Sequence, residues 1–378
     1  MTKILISCGE VSGDIYAGAL TSELVKLDSR VQVFGLGGDQ MAAAGARLIG
    51  HYRGLSVTGL SEALAVLPRS LVMYRRLVDT MRKHRPDVLV TVDFPDFNFW
   101  LAAAARRLGL PVVYYVSPQV WAWRPGRVRQ IREVVDKMLV ILPFEEEIYQ
   151  RAGIDVEFVG HPLLDTVRPR MTRGAFLAKY RLKNDGPIVA LLPGSRRKEL
   201  HYILPTLCLA VDLILAEKPD TQFVLPVAPG LSTVFVQRFL GGRPVKLVVD
   251  DTYDAMRYSR VAIVASGTAT LETALLGTPA VIVYRIGRAT WLLGKFLLKV
   301  RMFGLVNIIL GEEVVPELYQ DRLTPTNVAK VTLKLMDDVW VQSEIRGNYE
   351  KLRRKLGTGN VAEKVVDAVA VVVSSSRR

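Results

Sequence analysis

The chain has 378 residues, 50% of them apolar and 23% charged, which excludes a disordered chain and, at roughly 150 residues per domain, leaves room for two domains. Two cysteines 200 positions apart, Cys8 and Cys208, exclude a disulfide scaffold or a cysteine-rich zinc module and read as buried small hydrophobes in a reducing compartment. Fifty Lys and Arg against thirty-seven Asp and Glu leave a formal charge of +13.

The first half alternates short apolar strands with amphipathic helices. Strands are expected over Ile4–Cys8, Val31–Leu36, Val88–Val92, Val112–Val116, Met138–Leu142 and Val156–Val159, and helices over Ile15–Leu27, Leu71–Lys83, Phe97–Leu108 and Glu145–Ala152. The strand runs are nearly continuous in Val, Ile and Leu, the pattern of parallel strands covered on both faces. Arg168 to Gly186 carries Pro169, Gly174 and a charged stretch and reads as a linker. A second series of strands follows, over Ile188–Leu192, Gln222–Val227, Val245–Val249, Val261–Ala265 and Ala280–Val283, and the tail from Thr326 to Val373 reads as helical. The fold class is therefore α/β with two doubly wound Rossmann-like domains, expected over 1–167 and 186–345, with 346–378 packing back on the first. Ligands bind at the carboxyl edges of such sheets, which places the expected site in a cleft between the domains.

No membrane-spanning helix is expected. The longest uncharged run, 221–237, has 17 residues and is broken by Pro226, Pro229 and Gly230. Lys3, Glu10 and Asp14 around the first strand argue against a signal peptide, so a cytoplasmic, soluble or peripheral protein is expected. The positive charge is clustered. No acid lies between Asp96 and Glu133 or between Glu272 and Glu312, and 63–86 holds six Lys and Arg against Asp79 alone. Such stretches suit an anionic partner or form a solvated basic face.

Several strand ends carry residues suited to chemistry. After the first strand, Gly9-Glu10-Val11-Ser12-Gly13-Asp14 has neither the glycine spacing of a dinucleotide fingerprint nor a P-loop lysine. Its glycines permit a tight strand-to-helix turn, Ser12 or Asp14 can cap the helix, and Glu10 sits where a ligand would lie, in a structural or a binding role. Asp93 closes a strand and is placed as a general base, while Asp96 reads as a helix cap. The loop from Tyr114 to Arg124, with Ser117, Gln119 and Trp121, reads as a wall against a sugar or base, or as a corner of the core. Gly194-Ser195-Arg196 offers turn N–H groups and a fixed cation to a pyrophosphate. Ser266-Gly267-Thr268 repeats that pattern, and Glu272, one turn on, can accept both hydroxyls of a ribose. The stretch 291–301 is basic and apolar, and Arg288, Lys295 and Lys299 fall on one helical face, either against anionic lipid or as snorkelling side chains of a core helix. Four scattered histidines with no His-x3-His pair give no metal site, and none is assigned.

Eight of these segments, in this order, resemble the lipid-A-disaccharide synthase family over almost the whole chain: GEVSGD (9–14), LSVTGLSEAL (55–64), VDFPDFN (92–98), YVSPQVWAWRPGRV (115–128), LPFEEEIY (142–149), FVGHPLLD (158–165), LLPGSRRKE (191–199) and ASGTATLE (265–272). The resemblance implies a B-type glycosyltransferase fold. It also implies transfer of a sugar from UDP-2,3-diacylglucosamine to 2,3-diacylglucosamine 1-phosphate, giving a β(1→6) disaccharide and UDP with inversion and without a cofactor. It implies Asp93 rather than Asp96 as the base and Glu10 beside it, with Ser12, Gly13, Ser117, Gln119 and Trp121 on the acceptor or sugar side. On the donor side it implies Gly194, Ser195, Arg196, Ser266, Gly267, Thr268, Glu272, Asn307 and Gln320. Val306 stands where the family usually has Pro before Asn307, and Thr58 where a Met is common. Leu292, Lys295, Phe296 and Lys299 are the implied membrane contacts, on the cytoplasmic face of an inner membrane, and a homodimer is a further expectation; no nucleic acid is expected. A UDP-sugar 2-epimerase of the same fold lacks a reason for the basic, apolar stretches. A non-enzymatic protein binding anionic lipid or nucleic acid leaves Glu10, Asp93 and Glu272 without a role.

Overall fold

The computed structural model describes residues 1–55, 60–118, 126–287, 291 and 302–376, the side chains of 60–65 excepted. Met1–Asp165 with Leu356–Arg378 forms one compact unit and Thr166–Lys355 a second. Thr58, Gln119, Trp121, Arg288, Leu292, Lys295, Phe296 and Lys299, each given an expected role or place above, lie outside the described residues.

The first unit runs β1 (Lys3–Cys8), α1 (Val11–Leu27), β2 (Gln32–Gly37), α2 (Asp39–Ala43), β3 (Arg47–His51), α3 (Leu60–His84), β4 (Val88–Val92), α4 (Pro95–Arg107), β5 (Val112–Tyr115), α5 (Arg127–Val134), β6 (Lys137–Val140), α6 (Pro143–Arg151) and β7 (Val156–Phe158). Its seven strands are all parallel, in the order β3-β2-β1-β4-β5-β6-β7. Central strands such as β4 (VLVTV) are buried at every residue, because helices cover both faces. On one face Leu5, Leu89, Phe97, Leu101, Tyr114, Ile131, Met138 and Tyr149 join a single apolar core. The edge strand β3 and the short helices α2 and α5 are absent from the sequence reading. RLIGH carries no apolar run, and helices of five and eight residues show too few turns of periodicity. Helix α3 begins eleven residues before the expected start, because Pro68 interrupts its pattern but not its path.

The second unit runs α7 (Arg173–Tyr180), β8 (Ile188–Leu192), α8 (Arg197–Glu217), β9 (Gln222–Pro226), α9 (Thr233–Leu240), β10 (Val245–Val248), α10 (Thr252–Tyr258), β11 (Val261–Ala265), α11 (Thr268–Leu275), β12 (Ala280–Tyr284), α12 (Leu305–Leu310), β13 (Glu317–Tyr319), α13 (Pro325–Asp337) and α14 (Val339–Lys355). Its six parallel strands follow the order β10-β9-β8-β11-β12-β13. The stretch expected as a linker is tied to this unit. The buried Asp254 carboxylate accepts the N–H groups of Arg170 and Met171, and Asp251 pairs with Lys179 and Tyr180 on α7. Among the described residues one helix, α8, is long and apolar enough to cross a membrane. Its face carrying Leu200, Ile203, Leu207, Val211 and Ile214 is core of this unit.

The helical tail divides between the units. Helix α14 belongs to the second. The last helix, α15 (Val361–Ser376), packs on α1 of the first. Asp165 holds it there by accepting the N–H groups of Asn360 and Val361 at 2.8 and 2.9 Å, an N-terminal cap worth about 1 kcal/mol.

Candidate active site

In each sheet the strand order reverses between two neighbouring central strands, β1 and β4 in the first unit, β8 and β11 in the second. Helices leave opposite faces at such a point and open a crevice at the carboxyl ends. Cys8 pairs with Val92 and Leu192 with Val264, so the chain leaves both strands of each pair side by side. The turns at 9–14 and 93–98 therefore flank one crevice, and those at 193–199 and 265–272 the other.

In the first unit the turn after β4 is strained. Asp93 and Phe94 take φ of +47° and +53°, left-handed values that non-glycine residues rarely adopt. Phe94 is the N-cap of α4, and its ring lies over Gly9, where a Cβ would stand 2.1 Å from Cγ of the ring. Gly9 is thus required by the close approach of the two turns. Asp93 is part-buried; burial, and then the Glu10 carboxylate, raise it to about 7, against a hydrogen bond from Phe94. Glu10 is the N-cap residue of α1 and is also part-buried. Gly13 packs behind it, a Cβ there lying 3.2 Å from that of Cys8.

Two expectations for this edge, the caps of α1 and α4, are corrected, and at Ser117 the structure shows the core corner. Asp14 does not cap α1: its buried carboxylate accepts the N–H groups of Gly38, Gln40 and Met41 at the start of α2, and Ser12 lies inside the first turn of α1. Asp96 is the second residue of α4 rather than its cap, and it pairs with Arg127. Ser117 faces inward. Its hydroxyl meets Tyr149 Oη at 2.7 Å, Glu145 Oε1 at 3.2 Å and Pro118 O at 3.0 Å, and the side chain is 5% exposed. Residues the sequence reading missed lie beneath Asp93. The Asn98 amide and the Tyr114 hydroxyl both donate to its carbonyl, at 2.6 and 3.0 Å. The signal was present, since Asn98 closes the VDFPDFN segment and Tyr114 lies near the end of β5.

In the second unit Gly194, at φ +118°, turns the chain into α8, and Arg196 is the helix N-cap with its side chain half exposed. The N–H groups of Ser195 and Arg196 are not free for a phosphate: both donate to Glu199 Oε2, at 2.8 and 3.2 Å. The loop offers its guanidinium instead. After β11, Gly267 is the N-cap of α11, with no side chain among the described residues capping it, and Thr268 is exposed. Ser266 donates to Phe303 O at 2.6 Å. Glu272 accepts from the Tyr253 hydroxyl at 3.2 Å, and burial raises its pKa.

Asn307 is spent internally. Its amide nitrogen donates to Val315 O and Glu317 Oε1, and its oxygen accepts from Val314 and Val315 N–H, all within 2.8–3.1 Å. With every bonding position filled in a fully buried site, it shapes the 304–315 segment. Gln320 is also buried, at φ +49°, and donates to Ile286 O at 3.4 Å. Beside Ser266 the sequence reading missed an aromatic cluster in which Phe303 lies 5.9 Å from Tyr284, 5.9 Å from Trp291 and 4.8 Å from Tyr319. Among the described residues no group of three or more His, Cys, Asp or Glu side chains is arranged to hold a metal ion.

Solved structures of similar fold include the UDP-GlcNAc 2-epimerase from Neisseria meningitidis bound to UDP-GlcNAc, with a TM-score of 0.66 at 13% identity over 98% of this chain and 100% of that one. The calicheamicin glycosyltransferase CalG4 gives 0.63 at 16% identity over 99% of both chains. At such identities the likeness concerns the fold alone. By sequence, the lipid-A-disaccharide synthase of Koribacter versatilis is 42% identical over 382 residues, covering 99% of this chain and 98% of the relative. That of Syntrophus aciditrophicus is 39% identical over 376 residues, with the same coverage. A model of the lipid-A-disaccharide synthetase family matches residues 4–368. With two doubly wound sheets and acids at one switch point and an arginine turn at the other, the chain belongs to the lipid-A-disaccharide synthase family and is a glycosyltransferase.

Proposed function

We propose that the protein transfers 2,3-diacylglucosamine from its UDP derivative to 2,3-diacylglucosamine 1-phosphate by direct, inverting displacement without a metal ion. The observation that carries this reading is Asp93, a part-buried carboxylate at a switch point whose pKa is raised to about 7, where a general base works best. Asp93 takes the proton from the acceptor's 6-hydroxyl as that oxygen attacks the anomeric carbon. The bond from that carbon to the UDP oxygen breaks on the opposite face. The Arg196 guanidinium and the uncapped N-terminus of α11 stabilise the charge that gathers on UDP. Glu272 accepts from the ribose with its position held by Tyr253, and Glu10 orients the sugar or acceptor. Val11 and Ile15, one turn apart beside Glu10, are 54% and 41% exposed, which suits an acylated acceptor.

Peripheral contact with an anionic membrane belongs to the same reading. Leu67, Leu71 and Val72 are exposed on α3 beside Arg69, Arg75 and Arg76. Sedimentation with anionic vesicles should weaken in high salt, and binding indifferent to salt would count against it.

The deciding assay is UDP release with and without the acceptor, by wild type and Asp93→Asn, in EDTA. Acceptor-dependent release that the substitution abolishes supports the reading. Release without acceptor, or epimer formation, points to epimerase-like chemistry; activity retained by Asp93→Asn moves the base elsewhere.

A further inference from the structure

The left-handed turn at Asp93 does not hold itself. A part-buried carboxylate on two consecutive non-glycine residues at positive φ relaxes unless the surroundings over-determine the backbone. The main restraint is the side chain of Asn98, one turn into α4 and fully buried. Its Nδ2 sits among three carbonyls, those of Asp93 at 2.6 Å, Ser7 at 3.2 Å and Val92 at 3.4 Å. Its Oδ1 accepts from Ser7 Oγ at 2.7 Å, so only one orientation of the amide satisfies both ends. Ser7 lies on β1, across the switch point, so the amide stitches β1, β4 and α4 together directly under the turn. Tyr114 supplies the second donor to the Asp93 carbonyl from β5.

We propose that Asn98 is the positioning residue for Asp93. It clamps the Asp93 carbonyl, with Ser7 fixing its orientation and Tyr114 assisting, so that the carboxylate is held in the crevice toward the acceptor hydroxyl. This inference rests on Asp93 acting as the base. The charged or titratable groups around that carboxylate are Glu10 on the β1–α1 turn and the Tyr114 hydroxyl on β5, with Asp96 on α4 and Arg127 on α5 beside Tyr114. None of them donates to the Asp93 carbonyl except Tyr114.

The test is steady-state kinetics of Asn98→Ala, Ser7→Ala and Tyr114→Phe across pH 5 to 9, beside Asp93→Asn, with UDP binding and thermal unfolding as measures of folding. Without the clamp the turn relaxes and the carboxylate gains solvent. Asn98→Ala should lower kcat at least 30-fold while the donor KM stays within twofold. The acid limb of its pH profile should move down from about pH 7 towards the ordinary carboxylate range. Ser7→Ala, which leaves the amide but frees it to turn, should lower kcat about fivefold with a shift in the same direction, and Tyr114→Phe should do less. A kcat within threefold of wild type and an unmoved acid limb in folded Asn98→Ala would overturn the inference. If Asn98→Ala does not fold, full kcat in Ser7→Ala overturns it equally. Activity surviving in Asp93→Asn shows instead that the base reading has failed; an inactive Asp93→Asn beside a fully active Asn98→Ala shows that the positioning role alone has failed.

Discussion

At the ends of β8 and β11 the chain turns on glycines, Gly194 at φ +118° and Gly267 at +154°; at the end of β4 it turns on Asp93 and Phe94, and at the end of β5 on Val116 at +65°. Glycine takes such angles at no steric cost, whereas left-handed geometry costs another residue about 1–2 kcal/mol. In the second unit glycine suffices, because the groups at these bends that the proposed donor site uses are a helix N-terminus and the Arg196 side chain, neither of which the bend residue itself supplies. The first unit must place a carboxylate at the bend, so it accepts strain and restrains it with Asn98, Tyr114 and Phe94. At Asp93 the bend without glycine carries a part-buried carboxylate, whereas Val116 and, in the second unit, Gln320 take positive φ with buried side chains.

The contrast is most sharply tested at Asp93. Asp93→Asn should lower kcat about 10³-fold with UDP affinity unchanged, measured by steady-state turnover and UDP titration. It should also change stability in a defined sense. The folded pKa, about 7, lies above the ordinary 3.8, so the residue's contribution is most favourable below about pH 4 and is lost as pH rises to 7. Urea unfolding should find the variant roughly 3 kcal/mol more stable relative to wild type at pH 8 than at pH 4.

His161, buried in the first unit with its Nδ1 accepting from Leu163 N–H, is held near pKa 4 by burial. Its contribution is complete above pH 6.5 and lost as pH falls towards 4, so His161→Gln should remove up to about 3 kcal/mol of that acid sensitivity. The midpoint of unfolding at pH 7.5 and 4.5 reads it. In the second unit, Arg196→Ala should lower kcat/KM about 10²-fold without moving the acid limb, and Arg196→Lys should recover part of the loss. An acid limb displaced by Arg196→Ala would erase the division of labour between the edges.

The smallest effects separate the two kinds of turn. A Cβ at Gly194 would lie 2.2 Å from Glu199 Oε2, and one at Gly9 2.1 Å from the Phe94 ring. Each Ala substitution should cost about 1–3 kcal/mol of stability. Gly194→Ala should act on the donor KM and Gly9→Ala on kcat, and the same response in both would contradict the comparison.

Much of the fold was legible because central parallel strands are apolar throughout and end abruptly. Val88–Val92, Ile188–Leu192 and Val261–Ala265 have the same bounds in sequence and structure, closed by Asp93, Pro193 and Ser266. The edge strands β3 and β13 were not, since one lacks an apolar run and the other has three residues. The acids Glu10 and Asp93 were legible for the same reason as the strands: each is the first charge after an apolar run. The partners of Asp14, Ser117 and Asn307, at Gly38–Met41, Glu145–Tyr149 and Val314–Glu317, were not legible, because they are brought to them only by the chain's return.

Taken alone, then, the residue order determined the two parallel sheets, the strand ends where chemistry gathers and the types of side chain found there, because hydrophobic runs and turn residues act locally. Only the tertiary structure decided which polar groups remain available to a ligand. Glu199 takes the turn N–H groups of Ser195 and Arg196, and Glu317 fills Asn307. Asn98 reaches 91 positions back to Ser7 to hold a strained aspartate open. A buried polar group must find a partner wherever the fold supplies one, and that choice is written in distances between strands, not in spacing along the chain.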